Sequence, residues 1–336
     1  MDKKYIVNVE WARKASTLAL TDHGVPSSEA QAIVEILLET SLLGVKTHGL
    51  RLLATYLDEI NRGVSKTFPE FSIINDTGPV VFMDADGALG VSAGLRATRL
   101  AVERAHVFGI AAVGVRNSNH FGAAGAYCRK IAKAGFIGIS TTSAAARVAC
   151  FGGREPLFGT NPISVAFGDD FCLDMATSQV CYSEIKERTR TGTALEPGWA
   201  VDEVGRSISD ASAMHALCPL GGYKGQGLAM SVTLLTSILM GGPLDWEMEH
   251  MNVSTDGKSR GVCHFFLAIN PDVFGGVQAA SVACESLVMA VRTSAPSDPY
   301  HPVIIPGDAQ RAHKARQLLS GLELDSMTYA ILKERV

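Results

Sequence analysis

Apolar residues recur along the first 65 positions with the spacing of helices. Gly24 and Pro26 close a first segment. Ser28-Glu29-Ala30-Gln31 has the form of a capping box, and Ile33, Ile36, Leu37 and Leu42 follow at helical intervals. Gly44 interrupts the pattern. A third helix is predicted from about Thr47-His48, with Leu53, Tyr56, Leu57 and Ile60 on one stripe and Gly63 as its stop. After Pro69 the period shortens, and Phe71-Ser72-Ile73-Ile74 and Val80-Val81-Phe82-Met83 read as strands. The pattern then predicts a helix over 91–107, a strand over 110–115, a helix over 123–134 and a strand over 136–141. Residues 145–220 read as short strands and loops. Beyond them come a helix over 227–240, a strand over 263–269, a helix over 277–292, a strand over 303–305 and a helical tail. A sheet-rich middle between helix-rich ends implies a mixed α/β fold.

Composition narrows the class. A chain of 336 residues accommodates two domains, in tandem or interleaved. With 47% hydrophobic and 19% charged residues it can fill a core and has apolar surface to spare, which points to an oligomer. A net charge of −4 without any basic run argues against nucleic acid as a partner. The apolar stretch 228–240 is broken by Ser and Thr and falls short of the ~20 residues of a membrane span. The N-terminus lacks an apolar signal core, so a cytoplasmic location is expected. Seven widely spaced cysteines with no CxxC pair read as free thiols, and no metal site is expected.

Several short segments could carry chemistry. On a helix, His48 would share a face with Arg51 and lie near Tyr56, which would place an imidazole, a guanidinium and a phenol around a substrate carboxylate and its neighbouring carbonyl. His120 lies in Asn117-Ser118-Asn119-His120-Phe121-Gly122, between a buried strand and a helix, where glycine permits close backbone approach. Thr160-Asn161-Pro162 is a turn that could expose a hydroxyl and an amide to substrate. Asp174-Met175-Ala176-Thr177 ends a strand, and its carboxylate could accept ribose hydroxyls. Gly221-Gly222-Tyr223-Lys224-Gly225 runs into an apolar helix and suits a phosphate. Pro306-Gly307-Asp308 opens another helix, with Asp308 equally suited to a cap. No GxGxxG follows a strand, so a dinucleotide is not expected at an ordinary Rossmann turn. A pyridoxal-phosphate enzyme with Lys224 as its Schiff-base lysine is a rival of another class.

Taken in order, THG at 47–49, NSNHFGAAG at 117–125, GFIGIS at 135–140, PLFGTNP at 156–162, DMATS at 174–178, GGYKGQG at 221–227 and PGD at 306–308 resemble the type-2 malate/L-lactate dehydrogenase family. That family includes malate, sulfolactate and ureidoglycolate dehydrogenases, diketogulonate reductase and piperideine-2-carboxylate reductase. The resemblance implies a non-Rossmann α/β fold, with a largely antiparallel nucleotide-binding sheet inserted in a helical domain built from both chain ends. The expected division is 1–115 with 280–336 for the helix-rich substrate and dimerisation domain, and 116–279 for the nucleotide-binding domain. It further implies a homodimer with active sites near the interface and NAD or NADP as cofactor. His48 and His120 become acid/base candidates. Arg51, Tyr56, Thr160 and Asn161 become substrate contacts. His120, Gly122, Asp174, Met175, Ala176, Thr177, Lys224, Gly225, Pro306, Gly307 and Asp308 become cofactor contacts. Many members place an arginine four residues after the first histidine, where this chain has Leu52; a one-residue slip turns a helical side chain by about 100°. The expected reaction is hydride transfer between nicotinamide and C2 of a small 2-oxo or 2-hydroxy acid. The alternative is reduction of a cyclic 2-imino acid by the same apparatus.

Overall fold

A computed structural model of the chain describes residues 3–251, 253 and 257–335. Its centre is a seven-stranded sheet. In spatial order the strands are Ser72–Asp76, Val80–Asp84, Ile110–Ser118, Val262–Ile269, Ile137–Thr142, Ile163–Phe167 and Phe171–Met175. Val80–Asp84 and Ile110–Ser118 run parallel. The other five neighbouring pairs are antiparallel. Alternation along Val262–Ile269 buries His264, Phe266 and Ala268 and leaves Phe265, Leu267 and Ile269 half-buried.

The parallel pair of this sheet is connected by the helix Gly90–Phe108. Its buried stripe is Ala93, Ala97, Ala101 and Ala105, four residues apart, and small side chains let the helix lie close to the sheet. Gly109, at φ +82°, ends the helix in the left-handed conformation and sends the chain directly into Ile110–Ser118. The helices Val9–Thr21 and Ser27–Leu42 pack beside this core. A two-stranded ribbon, Tyr5–Val7 with Leu322–Leu324, ties the two chain ends together. A separate four-stranded sheet joins Ala200–Val201, Ala216–Leu217, Val148–Ala149 and Pro156–Phe158.

Some expectations are corrected. The second helix starts at Ser27 after Pro26, and no side chain caps it, so Ser28 does not act as a capping box. The third helix does not begin at Thr47-His48. The chain turns there, makes a 3₁₀ turn over Leu50–Leu52 and becomes α-helical over Leu53–Asn61. The helix expected at 227–240 starts earlier, at Tyr223, and widens into a π-helical turn over Leu234–Ile238. Residues 303–305 form no strand, because the Ile305 N–H donates to the Asp308 carboxylate (2.9 Å) instead of to a sheet. The strand Ile110–Ser118 crosses the expected domain boundary at 115/116, so the central sheet draws strands from both sides of it.

Candidate active site

His48 and His120 come together, both half-buried, with ring centroids 5.8 Å apart and planes 31° apart. Each is held by its own loop. The His48 turn is pressed onto the helix Ser27–Leu42: a Cβ at Gly49 would lie 2.1 Å from the Ser41 hydroxyl, and the Leu50 N–H donates to that hydroxyl at 2.8 Å. The His120 loop is anchored by buried Asn119. Its amide donates to the carbonyls of Val64, Gly87 and Ala88, and its Oδ1 accepts from the Arg260 N–H. The same loop lies over the start of Gly90–Phe108, where a Cβ at Gly90 would stand 2.1 Å from the Asn119 carbonyl oxygen.

The two rings differ in their surroundings. The Gly122 N–H donates to His120 Nδ1 at 3.3 Å, and the Tyr56 hydroxyl lies 3.0 Å from the same nitrogen. Burial holds the Tyr56 phenol well above its usual range, so it is protonated and able to donate. Nδ1 is therefore an acceptor, and the proton of the neutral ring is on Nε2. Desolvation, with His48, Arg260 and His264 nearby, pushes His120 well below the usual imidazole value. His48 is also lowered by desolvation, but the Asp174 carboxylate opposes that shift. Its Nδ1 lies 2.8 Å from the Thr47 hydroxyl.

A layer below the rings is polar and closed. Arg260 and Glu59 form a buried ion pair, with Ser65 donating to the second Glu59 oxygen at 3.3 Å. His264 stacks on Phe121 at 4.6 Å between the Ser118 and Thr142 hydroxyls, and burial brings its pKa to about 3. Sequence reasoning missed Glu59, Arg260 and His264. Glu59 and Arg260 are remote in the chain, and no local pattern pairs them.

A line of backbone and polar groups leads away from the histidines. Asp174 faces the N-terminus of the helix Gly125–Lys133, where a Cβ at Gly125 would meet its Oδ2 at 2.5 Å. Desolvation raises the Asp174 carboxyl, against the pull of Arg129, the Gly125 N–H and His48. The Cys172 N–H reaches the Pro306 carbonyl at 3.4 Å, which places Pro306-Gly307 beside this strand. Past half-buried Met175 and Ala176, Thr177 is buried and donates to the Thr160 carbonyl through its N–H (2.9 Å) and hydroxyl (3.1 Å). The Thr177 carbonyl accepts from the Leu220 N–H at 2.9 Å, and so ties this run to the loop before Tyr223–Thr233.

No side chain caps the helix Tyr223–Thr233, and its first N–H to find a backbone carbonyl belongs to Gln226. Gly221 and Gly222 take φ of +57° and +71° to enter it. A Cβ at Gly225 would lie 2.2 Å from the Leu220 carbonyl oxygen. Lys224 is exposed at this end. Free N–H groups, a helix dipole and an ammonium are the donor set a pyrophosphate needs, so these residues fit a dinucleotide.

Other expected site residues lie differently. Arg51 does not share one helix with His48 and Tyr56, because it lies in the 3₁₀ turn between them; it is half exposed, 3.9 Å from Asp325. Asn161 is fully buried. Its amide donates to Asp245 (2.7 Å) and the Thr233 hydroxyl (3.2 Å), while its Oδ1 has no partner among the described residues. Asp308 pairs with Arg292 and Arg311, which hold its carboxyl at about 2.

The two imidazoles lie close together, and the uncapped start of Tyr223–Thr233 is tied through Leu220 to the strand-end run at Thr177. Residues 7–333 match the malate/L-lactate dehydrogenase family, and the chain belongs to it; it is an oxidoreductase. It is 35% identical over 302 residues to malate dehydrogenase of Pyrococcus abyssi, covering 86% of this chain and 82% of that protein. It is 29% identical over 319 residues to ureidoglycolate dehydrogenase (NAD(+)) of Escherichia coli K12, covering 93% and 90% respectively. The solved structure of sulfolactate dehydrogenase from Methanocaldococcus jannaschii superposes with a TM-score of 0.91 at 29% identity, covering 98% of this chain and 96% of that one.

Proposed function

We propose that this oxidoreductase binds NAD or NADP along the edge from Pro306-Gly307 through Asp174, Met175, Ala176 and Thr177 to Lys224-Gly225, and acts on C2 of a small 2-oxo or 2-hydroxy acid. The observation that carries the reading is the histidine pair beside that edge, with the two rings in unlike electrostatic settings. The nicotinamide, when bound, supplies or takes the hydride. The chain supplies the rest. His48, whose cationic form Asp174 favours, gives a proton to the substrate oxygen in reduction and takes it back in oxidation. Neutral His120 holds Nδ1 against Tyr56 and Gly122 and can offer its Nε2–H as a fixed hydrogen bond, but it is a poor store for a second proton. Gly122, at φ +78°, lies against the His48 carbonyl, which a Cβ there would meet at 3.6 Å. Arg51, half exposed three residues after His48, is the cation proposed for a substrate carboxylate.

The pyrophosphate sits at the uncapped start of Tyr223–Thr233 and not at a Rossmann turn. In support, the N-terminus of Gly90–Phe108, the helix between the parallel strands, is already covered by the Asn119 and His120 carbonyls. The relatives' names support an acid substrate of the malate, sulfolactate or ureidoglycolate kind. Among the described residues no helix is long and apolar enough to cross a membrane, and the enzyme is proposed to work as a homodimer in the cytoplasm. The test is a panel of 2-oxo acids and cyclic imino acids against reduced NAD and NADP, followed at the nicotinamide absorbance. Turnover of a 2-oxo acid is expected. Turnover of cyclic imines alone would move the substrate to C=N, and no turnover with either cofactor would overturn the reading.

A further inference from the structure

Two of the seven cysteines lie side by side next to the proposed cofactor edge. Cys128 is fully buried in the first turns of Gly125–Lys133, and Cys172 is half-buried on the strand Phe171–Met175. Their sulfurs are 3.8 Å apart. The Arg129 guanidinium donates to the Cys172 sulfur at 3.2 Å. Cys128 Sγ lies 2.8 Å from the Ser164 hydroxyl, which itself donates to the Leu173 carbonyl at 2.6 Å. Among the described residues no other two sulfurs come within hydrogen-bond reach.

We propose that Cys128 and Cys172 form a peroxide-reactive dithiol, with Cys172 as the attacking sulfur and Cys128 as the resolving one. The asymmetry of the pair assigns the roles. Cys172 is the more accessible sulfur and has a guanidinium against it, which favours thiolate; the Cys128 hydrogen bond and Arg129 bring it down to about 7. Burial raises Cys128, so it stays a thiol and waits. In the first step the Cys172 thiolate attacks the outer oxygen of a hydroperoxide. The O–O bond breaks, Cys172 becomes a sulfenic acid, and the leaving alkoxide or hydroxide takes a proton from water. In the second step Cys128 attacks the sulfenic sulfur, hydroxide leaves, and the Cys128 proton goes with it as water. Two thiols and one hydroperoxide give one disulfide, one alcohol (or water) and one water.

Closing the bond brings the sulfurs from 3.8 Å to about 2.05 Å, a movement of side-chain size. The bridge would join the helix that starts at Gly125 to the strand that carries Asp174, two residues after Cys172. It would also take from Arg129 its anionic sulfur partner and leave Asp174 as that guanidinium's nearest acid in this cluster. The pair is thus placed to report peroxide to the cofactor edge.

The experiment uses the full chain. Reduced protein is treated with hydrogen peroxide, free thiols are alkylated, and intact mass and peptide maps are compared with an untreated control. A loss of two hydrogens, protection of two thiols from alkylation, a peptide bridging Cys128 and Cys172, and reversal by dithiothreitol are expected. In Cys128→Ser, Cys172 should stop at the sulfenic acid and take up dimedone; in Cys172→Ser, Cys128 should remain a thiol. A wild-type map with both thiols still alkylated overturns the proposal, as does Cys172 carried to sulfinic acid with no bridge or a bridge to a different cysteine. Dimedone on Cys128 in the Cys172→Ser protein would exchange the roles and overturn the assignment of the attacking sulfur.

Discussion

At the scale of single residues, two histidines of the same chemical type receive opposite assignments from their neighbours. His120 Nδ1 faces two donors, and a second proton there would have to displace them. His48 faces a hydroxyl and feels the Asp174 carboxylate. His48→Ala is therefore expected to lower kcat by ~10²–10⁴ with cofactor affinity almost intact. The pH dependence follows from the sign. Reduction needs His48 protonated, so its rate falls as pH rises through the His48 pKa; oxidation needs it neutral and gains over the same interval. Because desolvation lowers that pKa, the limb in the free enzyme lies on the acid side of the ordinary imidazole value. The limb should vanish in His48→Ala and persist in His120→Ala, with the latter weakened mainly in substrate or cofactor binding. If instead the limb survives His48→Ala and disappears with His120→Ala, the roles are exchanged. A second residue-scale expectation concerns Arg260, which is 7% exposed and paired with fully buried Glu59. Arg260→Ala strands a buried carboxylate and should destabilise the fold by roughly 3–5 kcal/mol, read from denaturant unfolding. Replacing both partners by apolar residues should recover most of that loss; if the double variant is no more stable than the single one, the cost lies elsewhere than in the stranded charge.

At the scale of elements, the uncapped helix Tyr223–Thr233 makes the sharpest claim. Its N–H groups and Lys224 would act on phosphate equally in ground and transition states, so Lys224→Ala should raise KM for the cofactor and leave kcat near the native value. Gly225→Ala tests the backbone separately. Its Cβ would collide with the Leu220 carbonyl and amide, which are backbone atoms that can give way only by moving the loop. Weaker cofactor binding without loss of the folded state is expected, measured by fluorescence titration and thermal melting. A collapse of kcat at unchanged KM in Lys224→Ala would make the lysine a chemical group and end the phosphate assignment. The elements themselves were largely legible in the sequence. Strands at 80–84, 110–118, 137–142 and 262–269 and the helices over 90–108 and 277–292 fall within a few residues of their apolar patterns. What escaped has a common physical cause. The strand Tyr5–Val7 is three residues long and exists because Leu322–Leu324 pairs with it from the far end of the chain. The 3₁₀ turn at Leu50–Leu52 keeps apolar residues at helical spacing while leaving Arg51 half exposed and facing Asp325. Asn161 looked exposed because it precedes proline, yet Asp245, remote in the chain, claims its amide. Local period reports local structure; partners brought by the fold are invisible to it. The family strings marked both histidines, and the structure brings them together, but their unlike settings depend on Gly122, Tyr56, Asp174 and Arg260 from four separate segments.

At the scale of the whole molecule, one surface is inside out. Along residues 223–240 the face turned into the protein carries Thr233, Thr236 and Ser237, all buried, beside Ala229 and Val232. The face turned to solvent carries Leu228, Leu234, Leu235, Ile238 and Leu239, the last 63% exposed. A helix at a solvent boundary normally shows the opposite distribution, with its apolar stripe on the core side. Contiguous exposed leucines of this kind are a liability unless something covers them, and a second copy of the chain is the simplest cover, since a twofold axis lets one patch serve both sides. The same element begins at Lys224, so the proposed phosphate site and the proposed interface are two ends of one helix. Leu234→Glu combined with Ile238→Glu should place four carboxylates across such an interface and leave a folded monomer. Light scattering after size exclusion reads the mass, circular dichroism the fold, and cofactor titration the site at the other end. A wild-type protein that is itself monomeric at micromolar concentration, or a double variant that keeps the native mass, would remove this surface as the dimer contact. Loss of cofactor binding in a folded monomeric variant would show that the helix start is held in place by its own far end in the partner's grip.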